Sequence, residues 1–131
     1  MKRGDFLSVD DLTTEQVYSL LDRARQLKDR RQLRRDLTGK SIALVFQKPS
    51  LRTRASFDVG MTELGGHALY LGPDEIGLGK RESIPDVARV LSQYVHGIVA
   101  RTFRHSDVCR LAEYASVPVV NALSDWDHPC Q

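Results

Sequence analysis

The sequence predicts an α/β fold, a three-layer sandwich in which helices flank a four-stranded parallel sheet. Short apolar runs recur along the chain, and such runs are typical of strands that are buried on both faces. Segments with apolar residues at helical spacing separate these runs. Strands and helices that alternate in this way form βαβ units, whose right-handed crossovers place helices on both faces of the sheet. The 131 residues are enough for one domain.

The first helix is predicted to begin after Thr13. Thr13 and Gln16 have the spacing of a capping box, in which each side chain bonds the other residue's backbone N–H. Gly39 is expected to mark the exit from this region. The helix is predicted to have one apolar face, which consists of Val17, Leu20, Leu21, Ala24 and Leu27.

The first strand is predicted from Ile42 to Phe46 and the second from Ala68 to Leu71. The helix between them is expected to stop at Gly65 and Gly66. Its apolar face is predicted to contain Phe57, Met61 and Leu64.

A polar, Gly-rich loop is predicted from Gly72 to Glu82, and the helix after it is expected to begin at Ser83. Ser83 and Asp86 have capping-box spacing. The buried side of this helix is predicted to consist of Val87, Val90, Leu91 and Tyr94.

The third strand is predicted from Gly97 to Ala100, with Arg101 at its end, and the fourth from Val117 to Leu123. Pro118 would lie near the start of the fourth strand, where proline is tolerated. Ser106 is expected to open the helix between these strands. Its apolar side is predicted to contain Val108, Leu111, Ala112 and Ala115.

The chain ends in a polar segment from Ser124 to Gln131, with no further helix to close the domain. A complete domain rarely stops in a loop just past a sheet edge. We therefore expect residues 1–131 to form one domain that is a fragment of a longer chain.

The composition is ordinary for a soluble globular protein, with 41% hydrophobic and 27% charged residues. The longest apolar runs are too short to cross a bilayer, and no signal-peptide pattern is present, so the cytoplasm is the expected compartment. Cys109 and Cys130 form no CxxC pair, and the four histidines are scattered. We therefore expect no metal site and no cofactor.

The net charge is only +2, but basic residues crowd one stretch: Arg23, Arg25, Lys28, Arg30, Arg31, Arg34 and Arg35. A nucleic-acid-binding surface is one interpretation, which salt-dependent DNA binding would support. The solvated face of a helix is favoured, because Asp22, Asp29 and Asp36 are mixed in and no aromatic residue interleaves the run for base stacking. We therefore expect no nucleic-acid partner.

Parallel sheets bind ligands beyond the carboxyl ends of their strands, so the residues that follow each predicted strand form the candidate site. Residues 47–54 follow the first strand, and Arg101 ends the third. Four polar residues follow the fourth strand: Asn121, Asp125, His128 and Gln131. Arginines, hydroxyls, a histidine and an amide are therefore expected to converge on one rim.

Residues 50–54 carry the strongest chemical signal on this rim. They lie at a strand-to-helix junction, where free N–H groups and the helix dipole attract an anion, and an arginine fork matches phosphate oxygens. The alternative is that Ser50 is only an N-cap and that the arginines are surface charges. Anion binding is favoured, because three clustered cations would repel one another without an anion between them: Lys48, Arg52 and Arg54.

His128 and Gln131 are three residues apart and would share a face if a helix began there. A single histidine is more often structural than catalytic. Beside an amide and an arginine-lined pocket, His128 is also a candidate donor to a carbonyl oxygen.

Two segments resemble signatures of the ornithine carbamoyltransferases. Residues 46–54 (FQKPSLRTR) resemble their F-x-K-x-S-T-R-T-R motif, and residues 121–131 (NALSDWDHPCQ) resemble their N-A-L-S-D-x-x-H-P-x-Q segment. The likeness runs through the whole chain, including residues 79–83 and the helix that follows. Aspartate carbamoyltransferases share part of both motifs but usually have glutamate where Lys48 stands and N-A-G-D-G at positions 121–125, so the ornithine branch is favoured.

The resemblance implies the Rossmann-like N-terminal domain of a carbamoyltransferase and a site for carbamoyl phosphate. Seven residues are implied to bind this substrate: Ser50, Leu51, Arg52, Thr53, Arg101, His128 and Gln131. Arg101 and His128 are implied to be catalytic, because they would oppose the charge that grows on the carbonyl oxygen. Leu51 replaces the usual threonine, which matters little if only its N–H is used. Arg54 resembles a structural residue of the family.

The loop from Gly77 to Ser83 resembles one that crosses a trimer interface in this family. Lys80 and Arg81 would then complete the pocket of a neighbouring subunit, within a homotrimer or a multiple of trimers. Gly77 departs from the pattern, because many relatives have a glutamine at this position that reaches the neighbouring site. The alternative is a solvated connector whose glycines only permit its turns.

The function implied by the resemblance is transfer of the carbamoyl group to L-ornithine, giving L-citrulline and phosphate, in arginine biosynthesis. The ornithine-binding motifs of the family, D-x-x-x-S-M-G and H-C-L-P, lie in a second domain and are absent from this sequence. The fragment alone is therefore expected to be inactive. The alternatives are an aspartate or N-acetylornithine carbamoyltransferase and a non-catalytic phosphate-sensing module.

Overall fold

The computed structural model describes residues 4–30 and 32–131. Within them, four strands form one parallel sheet in the order β2-β1-β3-β4. The strands are β1 (Ser41–Phe46), β2 (His67–Leu71), β3 (Gly97–Arg101) and β4 (Val119–Asn121). The helices are α1 (Thr14–Asp29), α2 (Leu51–Glu63), α3 (Pro73–Ile76), α4 (Ile84–Tyr94) and α5 (His105–Tyr114), and a 3₁₀ turn precedes them at Val9–Asp11. The predicted α/β sandwich with a four-stranded parallel sheet is confirmed.

Alternating residues of the strands divide the core into two apolar clusters, one on each face of the sheet. Leu44 and Phe46 point to the α2 side, where Phe57 packs against them. Ala43 and Val45 point to the other side, against α4 and α5. The sheet is therefore the middle of three layers, and its carboxyl end is an exposed rim between them.

The predicted helix starts at Thr13 and Ser83 are confirmed. Thr13 Oγ1 accepts a hydrogen bond from Gln16 N at 3.2 Å, and Gln16 Oε1 accepts one from Thr13 N at 2.9 Å. Ser83 Oγ accepts from Asp86 N at 3.2 Å, while the Asp86 carboxylate bonds the Ser83 hydroxyl instead of its backbone. The helix predicted from Ser106 begins one residue earlier.

The prediction that the first helix exits at Gly39 is wrong. The helix ends at Asp29, and within the described chain none of its residues is buried. Leu20 and Leu21 are 50% and 59% exposed, because α1 lies outside both apolar clusters. Turns follow, and Arg34 N donates to Glu63 O at 2.7 Å, which ties this segment to the end of α2.

The basic stretch lies on and after α1. The described members between residues 23 and 30 are exposed, and Arg34 forms an ion pair with Asp36. This agrees with the solvated helix face, while Arg31 lies outside the described residues.

The buried side of α4 is partly different from the prediction. Val87 and Leu91 are buried as expected, but Val90 and Tyr94 are 54% and 77% exposed. Ala88 lies in the core instead. Its short side chain is on the face of α4 that packs on the sheet, so positions 90 and 94 face outward.

The fourth strand is shorter than predicted, because two residues limit it. Pro118 has no N–H to donate, and Leu123 has a φ of 121°, which turns the backbone away from an extended path. An unpredicted segment extends the sheet beyond β4: Phe6 N donates to Val119 O at 2.9 Å, and Asn121 N donates to Phe6 O at 2.8 Å. The N-terminal segment is therefore fixed beside the candidate site.

None of the helices in the described part of the chain has both the length and the apolarity that a membrane crossing requires.

Candidate functional site

The N-terminus of α2 lies at the carboxyl end of β1. Ser50 is the N-cap, and its Oγ accepts a hydrogen bond from Thr53 N at 3.3 Å. Backbone N–H groups at a helix start have no partner within the helix, so those of Leu51 and Arg52 are available to bind an anion. Leu51 is 81% exposed and Arg52 is exposed, whereas Thr53 is buried. An anion can therefore reach this turn from solvent.

Arg101 ends β3 on the α2 side of the sheet and joins this turn. Its Nη1 donates to Thr53 Oγ1 at 3.3 Å. Its Nε is buried and has no hydrogen-bond partner among the described residues. An unsatisfied buried donor is costly, so an oxygen acceptor from a ligand would stabilise this guanidinium.

His128 lies near Arg101 and also has an unsatisfied atom, since its buried Nδ1 has no partner in the described part of the chain. Burial lowers the pKa of His128, and the nearby Arg101 guanidinium lowers it further, while Asp127 raises it. The imidazole is therefore neutral at neutral pH. A neutral imidazole has one N–H, which can be donated to a carbonyl oxygen.

Gln131 follows His128 through a turn, in which Gln131 N donates to His128 O at 3.0 Å. Residues 129 and 130 form this turn and not the start of a helix, so the shared helical face considered for these two residues does not form. The Gln131 residue is exposed at the same end of the sheet.

Asn121 organises the loop that carries His128. It is fully buried, and its Nδ2 donates to Leu7 O at 2.9 Å, Asp127 O at 3.1 Å and Ser124 Oγ at 3.3 Å. Its Oδ1 accepts from Leu123 N at 3.0 Å, and this bond helps to hold Leu123 at its φ of 121°. A strained non-glycine residue beside a candidate site is typical of a preorganised loop.

Asp125, another predicted rim residue, has a structural contact. Its Oδ1 accepts a hydrogen bond from His105 N at 2.6 Å, in the first turn of α5. His105 Nδ1 lies 2.9 Å from Ser124 Oγ, so the same loop is attached to α5 twice. Asp125 therefore stabilises the start of a helix.

The predicted cluster of three cations is dispersed. Arg54 lies over the ring of Tyr70, 3.7 Å from its centroid, and Lys48 Nζ is 5.3 Å from the ring centroid of Phe103. Each is stabilised by an aromatic face, so mutual repulsion among the three is not an argument for an anion. Arg52 remains at the helix start.

The loop before α4 is more ordered than a Gly-rich connector, because it contains α3 and a tight turn. Lys80 N and Arg81 N donate to Gly77 O at 2.9 Å and 2.8 Å, and both side chains are exposed. Gly77 has a φ of 60°, and a Cβ there would lie 2.9 Å from Arg81 Cβ. This turn therefore favours glycine at position 77.

Gln47 holds this loop to the sheet and to α5, a role that sequence alone did not indicate. Its Nε2 donates to Leu78 O at 3.1 Å and Asp107 Oδ2 at 3.2 Å, while its Oε1 accepts from Phe103 N at 2.7 Å. The residue directly after a buried strand was visible in the sequence, but its partners, 31 to 60 residues away, were not.

Both cysteines are free, and Cys130 Sγ donates to Asn121 O at 3.4 Å. Burial raises the pKa of the Cys130 thiol to about 11. Within residues 4–30 and 32–131, no group of three or more His, Cys, Asp or Glu side chains is placed to hold a metal ion.

Residues 4–131 match the family model described as aspartate/ornithine carbamoyltransferase, carbamoyl-P binding domain. The chain belongs to this family. The aspartate/ornithine carbamoyltransferase relatives include the ornithine carbamoyltransferase of Haloquadratum walsbyi, which is 50% identical over 133 residues that cover 99% of this chain and 43% of the relative. That of Pyrococcus abyssi is 51% identical over 134 residues, which cover 100% and 42%.

Solved carbamoyltransferase structures have the same fold. The ornithine carbamoyltransferase of Pyrococcus furiosus has a TM-score of 0.90 at 48% identity, over 97% of this chain and 42% of that one. An N-acetyl-L-ornithine transcarbamylase has a TM-score of 0.85 at 39% identity, over 96% and 43%. The chain thus spans less than half the length of these relatives, and the resemblance seen in its motifs is confirmed.

Proposed function

We propose that residues 1–131 form the carbamoyl-phosphate-binding domain of an ornithine carbamoyltransferase. The observation that carries this proposal is the arrangement at the rim: Arg101 bonds Thr53 at the start of α2, and Arg101 and His128 each have a buried, unsatisfied nitrogen. A phosphate at α2 and a carbonyl oxygen beside His128 would supply acceptors for these two groups. In carbamoyl phosphate the phosphorus and the carbonyl carbon are bonded to the same bridging oxygen, which fits one compact pocket.

The proposed reaction is attack by an amine on the carbonyl carbon of carbamoyl phosphate. A C–N bond forms, the bond from the carbonyl carbon to the bridging oxygen breaks, phosphate leaves with that electron pair, and the amine loses a proton. Arg101, His128 and Thr53 would oppose the negative charge on the carbonyl oxygen, and Arg52 with the N–H groups at Leu51 would stabilise the departing phosphate. Ser50 would add a phosphate contact and Gln131 one to the carbamoyl amide.

The acceptor is proposed to be L-ornithine, which gives L-citrulline. Lys48 and the sequence of residues 121–125 support the ornithine branch over the aspartate branch. Curated relatives that are 50% and 51% identical to this chain carry the name ornithine carbamoyltransferase. The relative from Pyrococcus furiosus is called anabolic, which supports a role in arginine biosynthesis. The structural similarity to N-acetyl-L-ornithine transcarbamylase makes N-acetylornithine the acceptor to test against.

The longer protein is proposed to act in the cytoplasm as a homotrimer or a multiple of trimers, with Gly77, Lys80 and Arg81 on a loop that reaches a neighbouring subunit. Exposure of the Lys80 and Arg81 side chains supports this, because exposed side chains are available for contact with a neighbouring subunit. The acceptor-binding residues would lie in the part of the relatives that this chain does not span.

The test uses the 131-residue chain and a longer protein that contains it. We expect the longer protein to make citrulline from carbamoyl phosphate and ornithine, and the chain alone to lack turnover, because orientation of the two reactants can supply about 7–11 kcal/mol of a barrier. Ornithine, aspartate and N-acetylornithine are assayed in parallel. Fast turnover by the chain alone would refute the two-domain proposal, and a preference for aspartate would move the protein to the other branch.

A further inference from the structure

Asp127 links the N-terminal 3₁₀ turn to the backbone of His128. One carboxylate oxygen, Oδ2, accepts hydrogen bonds from Val9 N at 2.9 Å and Ser8 Oγ at 3.0 Å. The other, Oδ1, accepts from His128 N at 2.7 Å. The bonds to Ser8 and Val9 cross 119 and 118 residues of sequence, so one side chain fixes two distant segments against each other.

The segment that bonds Asp127 is itself held in place by further hydrogen bonds. Asp11 Oδ2 accepts from Leu7 N and Ser8 N at 3.0 Å each, and this closes the 3₁₀ turn. Just before it, Phe6 pairs with β4 in the sheet. The bonds that Asp127 accepts from Val9, Ser8 and His128 lower the pKa of its carboxyl, so the group is ionised and its hydrogen bonds are charge-assisted.

We propose that Asp127 is a positioning residue for His128, which holds the imidazole against Arg101 where the carbonyl group of carbamoyl phosphate binds. This inference rests on the proposed function. Asp127 contacts neither Arg101 nor the α2 turn in the described chain, so it acts through the backbone of the next residue. Within residues 46–54 and 101, the phosphate-binding part of the site keeps its own supports, which are the Ser50 cap and the bond between Thr53 and Arg101.

Because Asp127 supports His128 and not the α2 turn, its loss should affect two ligands differently. Inorganic phosphate has no carbonyl group, and it would be bound by the α2 turn without help from His128. Loss of Asp127 should therefore weaken the binding of carbamoyl phosphate and leave that of inorganic phosphate unchanged. A role in stability alone would change both affinities in the same proportion or neither.

The experiment titrates carbamoyl phosphate and inorganic phosphate into the 131-residue chain, followed by NMR. It compares the original sequence, Asp127→Ala, Asp127→Asn and a control, Asp10→Asn, which removes an equal charge from the 3₁₀ turn that Asp127 bonds. We expect the preference for carbamoyl phosphate over phosphate to fall about tenfold in Asp127→Ala, as for loss of one hydrogen bond, and to persist in the control. Asp127→Asn keeps the shape of the side chain and should lose part of the preference for carbamoyl phosphate. This variant therefore tests the positioning role of Asp127 if the alanine variant does not fold.

The outcomes distinguish this inference from the function on which it rests. If the original chain binds neither ligand, the proposed function fails and the inference fails with it. If the original chain prefers carbamoyl phosphate and both Asp127 variants keep that preference, the proposed function stands and the positioning role is refuted.

Discussion

Arg101 and Thr53 connect the end of β3 to the first turn of α2 through a 3.3 Å hydrogen bond from Arg101 Nη1 to Thr53 Oγ1. Thr53 is buried, and its own N–H bonds Ser50 Oγ, so the acceptor of this bond is fixed. The guanidinium is thereby held against the turn that would bind phosphate, while its Nε remains unsatisfied within the described residues. The planar fork can therefore meet two oxygens of one ligand.

Arg52→Ala should weaken the binding of inorganic phosphate and carbamoyl phosphate by about 10-fold to 100-fold. A charge-assisted hydrogen bond contributes about 1.5–3 kcal/mol, and Arg52 is the exposed cation at the start of α2. Calorimetry or NMR titration of the 131-residue chain measures this loss.

Arg54→Ala is the matched control for that prediction, because it removes the same charge two residues away. The Arg54 guanidinium stacks on Tyr70 and is not expected to meet the ligand. Equal losses of affinity in the two variants would mean that binding depends only on net charge. An unchanged affinity in Arg52→Ala would show that Arg52 is not part of the site.

The pKa of His128 should move in opposite directions when its two charged neighbours are removed. Arg101→Met deletes a positive charge that disfavours the imidazolium, so the pKa of His128 should rise. Asp127→Asn deletes a negative charge that favours the imidazolium, so this pKa should fall further. NMR titration of the imidazole protons measures both, with exposed His67 as an internal control. Shifts of one sign in both variants would contradict the arrangement.

The lowered pKa of His128 also predicts a dependence of stability on pH. Unfolded, the imidazole titrates near its ordinary value of 6.5, and folded it titrates at a lower pH. Between these two values the unfolded chain binds more protons, so the free energy of unfolding should fall as the pH drops through this window and be unaffected by His128 above it. His128→Asn should remove this part of the dependence, which urea unfolding at a series of pH values measures. An equal slope in both proteins would show that other groups cause it.

Local signals in the sequence predicted most of the fold. Thr13 with Gln16, and Ser83 with Asp86, place their helix starts because each N-cap hydroxyl accepts a hydrogen bond from a backbone N–H three residues later. The strands were also predictable from local sequence, because each contains a short run of apolar residues. The exposed face of α1 was not predictable, because apolar spacing shows which side can be buried and not whether another layer covers it.

Contacts between distant segments account for what sequence analysis missed at the site. Arg54 was read as part of a cation cluster, and only the fold shows Tyr70 beneath it. The partners of Asp127 at Ser8 and Val9 lie at the other end of the chain, where no spacing rule applies. Four of the residues predicted from motifs lie together, because the carboxyl ends of parallel strands share one rim: Ser50, Thr53, Arg101 and His128.

Asn121→Ala should lower the free energy of unfolding by about 2–4 kcal/mol. It removes a fully buried amide that bonds Leu7, Leu123 and Asp127, and it takes away a hydrogen-bond partner from Leu7 O and Leu123 N. Urea unfolding measures the change, with Gln93→Ala as a control at an exposed amide, where we expect a change within about 0.5 kcal/mol. A similar small effect in both would mean that the loop does not depend on Asn121.

Shared pockets in the proposed trimer can be tested by mixing inactive subunits of the longer protein. One subunit carries Arg52→Ala, and the other carries Lys80→Ala with Arg81→Ala, so each has one defective part of the pocket. If the loop serves a neighbour, some mixed pockets receive an intact α2 turn from the second subunit and an intact loop from the first. Activity should then return on mixing, measured as citrulline formed.

The control mixes Arg52→Ala with Arg101→Ala, two defects that lie in the same half of the pocket on one chain, so no mixed pocket is whole and activity should stay low. Mixed trimers are verified by mass in both experiments. Gly77 itself has no side chain to reach a neighbouring pocket, and its left-handed backbone places any added Cβ only 2.9 Å from Arg81 Cβ, so a longer side chain there would be strained. Lys80 and Arg81 must then supply the whole contact, and a failure to recover activity in verified mixed trimers would assign the loop to its own chain.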